Sequence, residues 1–257
     1  MKKLIIFIAV LLGAQEIRIC DDSAQWPPFT FYKQNKLTGA TVEIVDEVFK
    51  RIHKNYKIDL IPWKRCVYLV KNYDKTKKYE MFLDGTYTKK RAKEFYLTKP
   101  IYSTHNVAWF STKRFSKAKI KDILLNNPNK LRYCDVNGYQ VEMYYKKLHL
   151  SKSKKIDQGA KNSCDVLKKI SKNRCDVMIA SKEAIIGYQE SGKCKIPKDI
   201  SYVDLPMFKE TKFYMFISKK YSKAKELLKE INSALEEMKK DKTLDKILNK
   251  WLKLKTL

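Results

Sequence analysis

Residues 80–93 read EMFLDGTYTKKRAK. The apolar run that follows Glu80 predicts a short buried strand over residues 80–83. Asp84–Gly85 is a turn signal that closes this strand, and residues 88–93 predict a short helix that contains Arg91. A strand that passes through a tight turn into a helix is the building block of an α/β sheet.

Strands and helices alternate on the N-terminal side of this segment. Residues 16–20 alternate in hydropathy and predict a first strand, and residues 58–61 predict a second. After Gly39, apolar residues recur at helical spacing and predict a helix with one buried face. That face carries Ile44, Val45, Val48, Phe49 and Ile52. Residues 63–72 predict another helix, so the order is typical of an α/β sheet covered on both faces.

The C-terminal half continues the same alternation. We predict strands over residues 106–111, 131–134, 155–157, 176–180, 201–203 and 212–218. We predict helices over residues 118–125, 141–148, 166–171 and 183–189. The tail carries an amphipathic helix with Leu228, Ile231, Leu235 and Met238 on one face. A last helix follows it, with Leu244, Ile247, Leu248 and Trp251.

The chain of 257 residues carries a net charge of +27. Its lysines are spread along the whole sequence and are not clustered in one arm, which favours a solvated surface over a nucleic-acid interface. We therefore expect no nucleic-acid partner. Such a surface still attracts anionic solutes.

The first 14 residues have the pattern of an export signal. Lys2 and Lys3 precede the apolar run Leu4–Leu12 and the small residues Gly13–Ala14. The run is too short for a bilayer, which takes about 20 residues. We predict a signal peptide over residues 1–14 and a protein that is soluble in the periplasm after cleavage; an uncleaved buried helix is the alternative.

The six cysteines are Cys20, Cys66, Cys134, Cys164, Cys175 and Cys194. Export permits disulfides, but the sequence cannot choose among the possible pairings. The alternative is buried unpaired thiols, which suits Cys20, Cys134 and Cys175 because each lies in a predicted strand or next to one. No Cys–His cluster is present, so we expect no metal and no cofactor.

Four segments follow one another in a characteristic order. They are residues 17–20 (IRIC) with 26–29 (WPPF), residues 39–52, residues 85–91 (GTYTKKR) with 97–102 (LTKPIY), and residues 232–235 (NSAL) with Met238, 241–247 (DKTLDKI) and Lys250–Trp251. In this order the chain resembles the bacterial extracellular solute-binding proteins of the polar amino-acid transporter type, family 3. The resemblance covers nearly all of the mature chain.

The resemblance implies an α/β fold of the two-lobed type II periplasmic-binding-protein class, a Venus flytrap with two hinge crossings. Lobe I would comprise residues 15–105 plus 210–257, and lobe II residues 106–209. The crossings would lie near 103–107 and 207–212.

The resemblance also implies ligand-binding residues. Arg91 matches the family's arginine that holds the ligand carboxylate, for which a guanidinium has the required fork. Thr86 would contact the same carboxylate, and Asp84 at the end of the strand is a further candidate. Trp26 would stack on the ligand. Trp63 would face the cleft, and Arg65 could add a second cation.

In the other lobe, Gly138 and Tyr139 lie where the family presents a loop and a helix N-terminus to the ligand. The family's amino-acid binders usually place there, after a later strand, an aspartate that holds the α-ammonium. Here that position is Ser181, so either Glu183 takes its place or no ammonium is bound.

These features predict a non-enzymatic binding protein, a monomer that delivers a small carboxylate-bearing solute to an ABC permease. Two alternatives stay open. One is a sensory protein that docks on a membrane receptor. The other is an enzyme similar to cyclohexadienyl dehydratase on the same fold, with Glu183 as its general acid.

Overall fold

The computed structural model describes residues 16–139, 141–151 and 153–252. The predicted signal peptide lies outside these residues. Within these residues, lobe I is built on a six-stranded mixed sheet and lobe II on a second group of strands. The strands of the first sheet are β1 (Ile17–Asp22), β4 (Tyr56–Ile61), β5 (Met81–Thr86), β6 (Phe95–Leu97), β7 (Tyr102–Thr104) and β13 (Thr211–Ser218).

Strand β1 pairs in parallel with β4 on one side and β5 on the other. The long strand β13 runs antiparallel to β5, β6 and β7, although it lies more than 100 residues later in the chain. A small hairpin, β2 (Phe31–Lys33) with β3 (Lys36–Thr38), stands apart from this sheet. The sheet therefore combines the N-terminal strands with a segment that returns from lobe II.

Among the residues that the structure describes, six helices belong to lobe I. They are α1 (Ala40–Arg51), α2 (Trp63–Lys71), α3 (Tyr73–Thr76), α4 (Lys89–Glu94), α9 (Ala224–Lys240) and α10 (Thr243–Leu252). The predicted face of α1 is buried, because Ile44, Val45 and Val48 pack in one apolar core with Ile231 and Met238 of α9. Helical periodicity thus identified which faces lie against the sheet.

The elements of lobe II occupy the middle of the chain. Its strands are β8 (Asn106–Ser111), β9 (Tyr133–Val136), β10 (Ile156–Ala160), β11 (Met178–Ser181) and β12 (Ile200–Val203). Its helices are α5 (Lys117–Asn126), α6 (Glu142–Lys147), α7 (Ser163–Ser171) and α8 (Lys182–Glu190), with a 3₁₀ turn at Pro128–Lys130. All six residues of β8 are buried, since β11 and β12 flank it antiparallel and helices cover its faces.

The chain passes between the lobes twice. It leaves the first sheet at Thr104 and enters β8 at Asn106, and it returns between Val203 and Thr211. The predicted fold class, a two-lobed α/β protein with two crossings, is confirmed. The residue boundaries at 105/106 and 209/210 remain predictions.

The cysteines form three disulfides: Cys20–Cys66, Cys134–Cys175 and Cys164–Cys194. The alternative of unpaired thiols at Cys20, Cys134 and Cys175 is therefore wrong. Each bridge joins elements 30 to 46 residues apart in the sequence, so its partners meet only through tertiary packing. The bridge Cys20–Cys66 fastens α2 to β1.

Within the described ranges, no helix is long and apolar enough to cross a membrane.

Candidate functional site

A cavity lies between the two lobes. Its volume is about 110 Å³, which is several times the space that one water molecule needs. Lobe I contributes Asp21, Asp22, Trp26, Trp63, Asp84, Thr86, Arg91 and Phe213. Lobe II contributes Asn106, Asp135, Tyr139, Val141, Tyr144, Ser163, Ile179, Ala180, Ser181, Ala184 and Ile185.

Arg91 is held at this cavity by the turn that precedes it. The hydroxyl of Thr88 caps α4 by accepting the Arg91 backbone N–H at 3.0 Å. The Nη1 group of Arg91 donates to the carbonyl oxygen and the hydroxyl of Thr86, at 2.9 and 3.1 Å. Its guanidinium also lies over the rings of Trp63 and Phe216, 5.4 and 5.8 Å from their centroids.

The Arg91 guanidinium has no carboxylate partner within the part of the chain that the structure describes, although the residue is only 9% exposed. Burial without an anion lowers its pKa to about 10. The Nε and Nη2 groups have no acceptor among these residues either. This edge of the guanidinium can therefore donate two parallel hydrogen bonds to a carboxylate.

Asp84 is surrounded by hydroxyl groups of lobe I. Its Oδ2 accepts from Thr30 at 2.7 Å, and its Oδ1 accepts from Thr41 at 2.7 Å and from Tyr102 at 3.0 Å. Asp21, on the neighbouring strand, is 2% exposed, and its Oδ2 is buried without a hydrogen-bond partner among the described atoms. Burial, and next the Asp84 charge, raise the pKa of Asp21 well above its ordinary range.

Two further carboxyl groups reach the cavity. Asp22 accepts the backbone N–H of Ala24 at 3.0 Å, and burial raises its pKa. Asp135, at β9 of lobe II, accepts the Tyr145 hydroxyl at 3.0 Å and the Val136 N–H at 2.8 Å. Burial raises the pKa of Asp135 to about 7. The cavity thus has carboxyl groups on both lobes and one buried guanidinium.

Contacts across the cleft hold the lobes together. The hydroxyl of Tyr188 on α8 donates to the carbonyl oxygen of Gln25, and Lys64 Nζ donates to Asn137 Oδ1 at 3.0 Å. The ring of Trp26 packs against the apolar cores of both lobes. The structure is therefore a closed form of the cleft.

The structure brings most of the sequence-predicted residues to this cavity. Those that line it are Arg91, Thr86, Trp26, Trp63, Asp84, Tyr139 and Ser181. Arg65, Gly138 and Glu183 do not line it. Arg65 is exposed on α2, because the bridge to Cys66 directs the next position along the helix inward. Gly138 lies against the side chain of Lys64.

Glu183 lies at a hinge crossing. Its carboxylate accepts the backbone N–H of His105 at 2.9 Å and contacts His105 Nδ1 at 2.7 Å. The Ser181 hydroxyl caps α8 and also donates to Glu183 at 3.1 Å. The suggestion that Glu183 replaces the missing aspartate at the ligand is therefore not supported by its position.

Sequence reasoning missed several residues of the cavity, above all Asp21, Asp22 and Asp135. Each is an acidic residue at or near the carboxyl end of a strand, where open α/β sheets place their ligands. The sequence itself carries this signal, because each aspartate follows or ends an apolar stretch with strand character. In the described residues, no group of three or more His, Cys, Asp or Glu side chains is placed to hold a metal ion.

The fold and the cleft together define a class: two-lobed α/β binding proteins whose site lies between the lobes. The chain belongs to the bacterial extracellular solute-binding proteins, family 3, whose family model matches residues 17–254.

Solved structures of similar fold include ArtJ, the arginine-, lysine-, histidine-binding protein of the thermophilic bacterium Geobacillus stearothermophilus. It is 17% identical, with 92% of this chain and 95% of ArtJ covered and a TM-score of 0.74. A substrate-binding protein of an amino acid ABC transporter is 19% identical, with coverages of 93% and 100% and a TM-score of 0.71.

A histidine kinase sensor domain with similarity to periplasmic binding proteins is 16% identical, with coverages of 93% and 97% and a TM-score of 0.74. At these identities the likeness concerns the fold alone. Comparison with curated proteins gives no match.

Proposed function

We propose that this protein is an exported binding protein for a small zwitterionic solute of the amino-acid type, which it delivers to an ABC permease. The ligand carboxylate would bind Arg91 and Thr86, and a positively charged group would face the aspartates. The protein would act as a periplasmic monomer without enzymatic activity.

One observation carries this proposal: buried charges of opposite sign line one cavity and do not neutralise each other. Arg91 has no carboxylate within ion-pair distance among the described residues, although four aspartates line the same cavity. An isolated buried charge destabilises the folded protein unless an opposite charge pairs with it. A zwitterion would pair with both sets of charges at once.

The remaining candidates complete the proposed site. Trp63 would support the guanidinium from one side, and Trp26 and Tyr139, whose ring centroids lie 6.2 Å apart across the cleft, would enclose the apolar part of the ligand. We propose lobe boundaries at 105/106 and 209/210, between which the crossings act as hinges. A ligand held by both lobes stabilises the closed form.

An amino acid ABC transporter protein and a sensor domain both have this fold, so we propose transport and test it against sensing by the neighbouring genes. Adjacent permease and ATPase genes would support transport, whereas an adjacent receptor kinase gene would contradict it.

The test of binding is direct. The protein is purified without denaturant, its co-purified small molecules are identified by mass spectrometry, and calorimetry is run with the proteinogenic L-amino acids. Binding of one or more amino acids, with compaction in small-angle scattering, is expected. If none binds and no small carboxylate co-purifies, the proposal is wrong.

A dehydratase is the second candidate function, with Asp135 in place of Glu183 as its general acid. Such an enzyme needs a protonated acid near a bound carboxylate, and Asp135, with its pKa raised to about 7, lines the cavity that contains Arg91. Incubation with prephenate or arogenate decides between the two. Product formation that Asp135→Asn abolishes would establish the enzyme, and no product is expected.

A further inference from the structure

Asp21 and Asp84 form a buried carboxyl pair beside the proposed carboxylate site. They come from β1 and β5, which are adjacent parallel strands. Both side chains line the wall of the cavity, and each influences the pKa of the other. Because two carboxylates that share a site without a cation repel each other, one of the two groups retains a proton.

The surroundings decide which group carries it. Both oxygens of Asp84 already accept hydroxyl protons, from Thr30, Thr41 and Tyr102, and such donors favour the ionised form. The Oδ2 atom of Asp21 is buried and has no donor among the described atoms. The proton therefore resides on Asp21.

No protein cation neutralises this pair within the described residues, and Arg91 does not reach it. The titratable groups that interact electrostatically with Asp21 come from both lobes, and they are aspartates and tyrosines. They are Asp22 of β1, Asp84 of β5, Tyr102 of β7, Tyr139 after β9, and Tyr188 of α8. A cation that enters the cavity is the remaining means of stabilising an ionised Asp21.

We propose, on the basis of the proposed function, that a cationic group of the ligand displaces the Asp21 proton to the solvent, so that binding exchanges one proton for one cation. The products are an ionised Asp21 paired with the ligand cation and one proton taken up by the buffer.

We assign the group at Asp21 to a distal cation at the far end of the ligand side chain, with the carboxylate at Arg91 and Thr86. Thr86 follows Asp84 by two residues of β5, a separation of about 7 Å in a strand. The α-ammonium and carboxylate of an amino acid are about 2.5 Å apart, and a hydrogen bond of about 3 Å at each end also spans that separation. The α-ammonium is therefore the competing group, and release of a proton by a ligand that lacks a distal cation would identify it.

L-Arginine and L-citrulline provide a matched pair of probes, since citrulline replaces the guanidinium by a neutral urea group of similar shape. Calorimetry in buffers of different ionisation enthalpy measures the protons released. We expect L-arginine binding to release about one proton. At pH values below the pKa of Asp21, its affinity should increase about tenfold for each unit by which the pH is raised. L-Citrulline should bind about tenfold or more weakly, because it leaves the acidic pair without a partner charge. It should release no proton.

Asp21→Asn removes the exchangeable proton and keeps the shape of the side chain. We expect it to abolish proton release and to bring L-arginine and L-citrulline to within about threefold of each other. Asp135→Asn tests another carboxyl group of raised pKa in the cavity, and proton release should persist in it. Thermal unfolding verifies that both variants are folded.

The outcomes separate the two proposals. Binding of both probes by the wild type without proton release overturns the exchange and leaves the proposed function standing. Proton release that survives in Asp21→Asn, or disappears in Asp135→Asn, also overturns it. If the wild type binds no amino acid at all, both proposals are wrong.

Discussion

Gly187 of α8 lies against the backbone of Pro27 in the other lobe, so that a Cβ atom at position 187 would stand 2.6 Å from the Pro27 carbonyl oxygen. Real Cβ atoms do not approach a carbonyl oxygen so closely. The next residue, Tyr188, donates its hydroxyl to Gln25 in the same loop. This face of α8 is therefore complementary to lobe I in the closed form, and it offers a way to test closure separately from ligand contacts.

Gly187→Ala should weaken ligand binding although position 187 does not line the cavity. The methyl group obstructs closure, and the apparent affinity falls in proportion to the closed fraction. We expect a loss of about tenfold or more by calorimetry, and a ligand-loaded protein that stays extended in small-angle scattering. Gln189→Ala, on the same helix, is the control. Unchanged affinity in Gly187→Ala would show that the contact is not needed for closure.

Arg91→Ala should abolish binding and leave the fold intact. Loss of one partner of a desolvated charge pair costs about 2–5 kcal/mol, which corresponds to a reduction in affinity of about 30-fold to several thousand-fold. Arg91→Lys should restore binding only in part, because an ammonium lacks the fork geometry. Calorimetry with the identified ligand measures each. Arg65→Ala, at an exposed arginine, is the matched comparison, and a larger effect there than at Arg91 would contradict this assignment.

Arg91→Met should not destabilise the ligand-free protein at pH 7. Burial in the folded state lowers the Arg91 pKa from its ordinary value to about 10, so the charged form is disfavoured below pH 10 and this cost disappears as the pH rises above that value. The shift corresponds to at most about 3 kcal/mol. Denaturant unfolding should give an equal or higher unfolding free energy for the variant. A clear decrease would mean that Arg91 serves the fold.

Asp135→Asn should stabilise the protein in a pH-dependent way. Burial raises the Asp135 pKa from 3.8 to about 7, so the folded state retains a proton that the unfolded state loses. Wild-type stability should therefore decrease as the pH rises from about 4 to 7, by at most about 4 kcal/mol in total from this group.

The variant lacks this contribution. We expect the wild type and Asp135→Asn to be equally stable near pH 3 and the variant to be more stable at pH 8, as measured by denaturant unfolding at both pH values. A difference that is the same at both pH values would show that Asp135 does not titrate in this way.

Local patterns identified much of the architecture. The helical spacing of Ile44, Val45 and Val48 marked the buried face of α1, and the apolar residues of 106–111 marked β8 with the bounds that the structure has. The three-residue strands β2, β3, β6 and β7 were missed, because three residues are too few to show a period. Register and neighbours of β13 could not be predicted, since they depend on pairing between distant segments.

The sequence by itself determined the strand–turn–helix around Arg91, because capping by Thr88 and strand formation before Gly85 are interactions between near neighbours. Only the tertiary structure decided that Asp21 interacts with Asp84, that Glu183 contacts His105 and that Cys164 forms a disulfide with Cys194. Those contacts join elements separated by 30 or more residues in the sequence, and they exist only where folding brings separate strands and helices together. Burial at such meeting points, which no local pattern records, also raises or lowers the pKa values of the charged groups in the cleft.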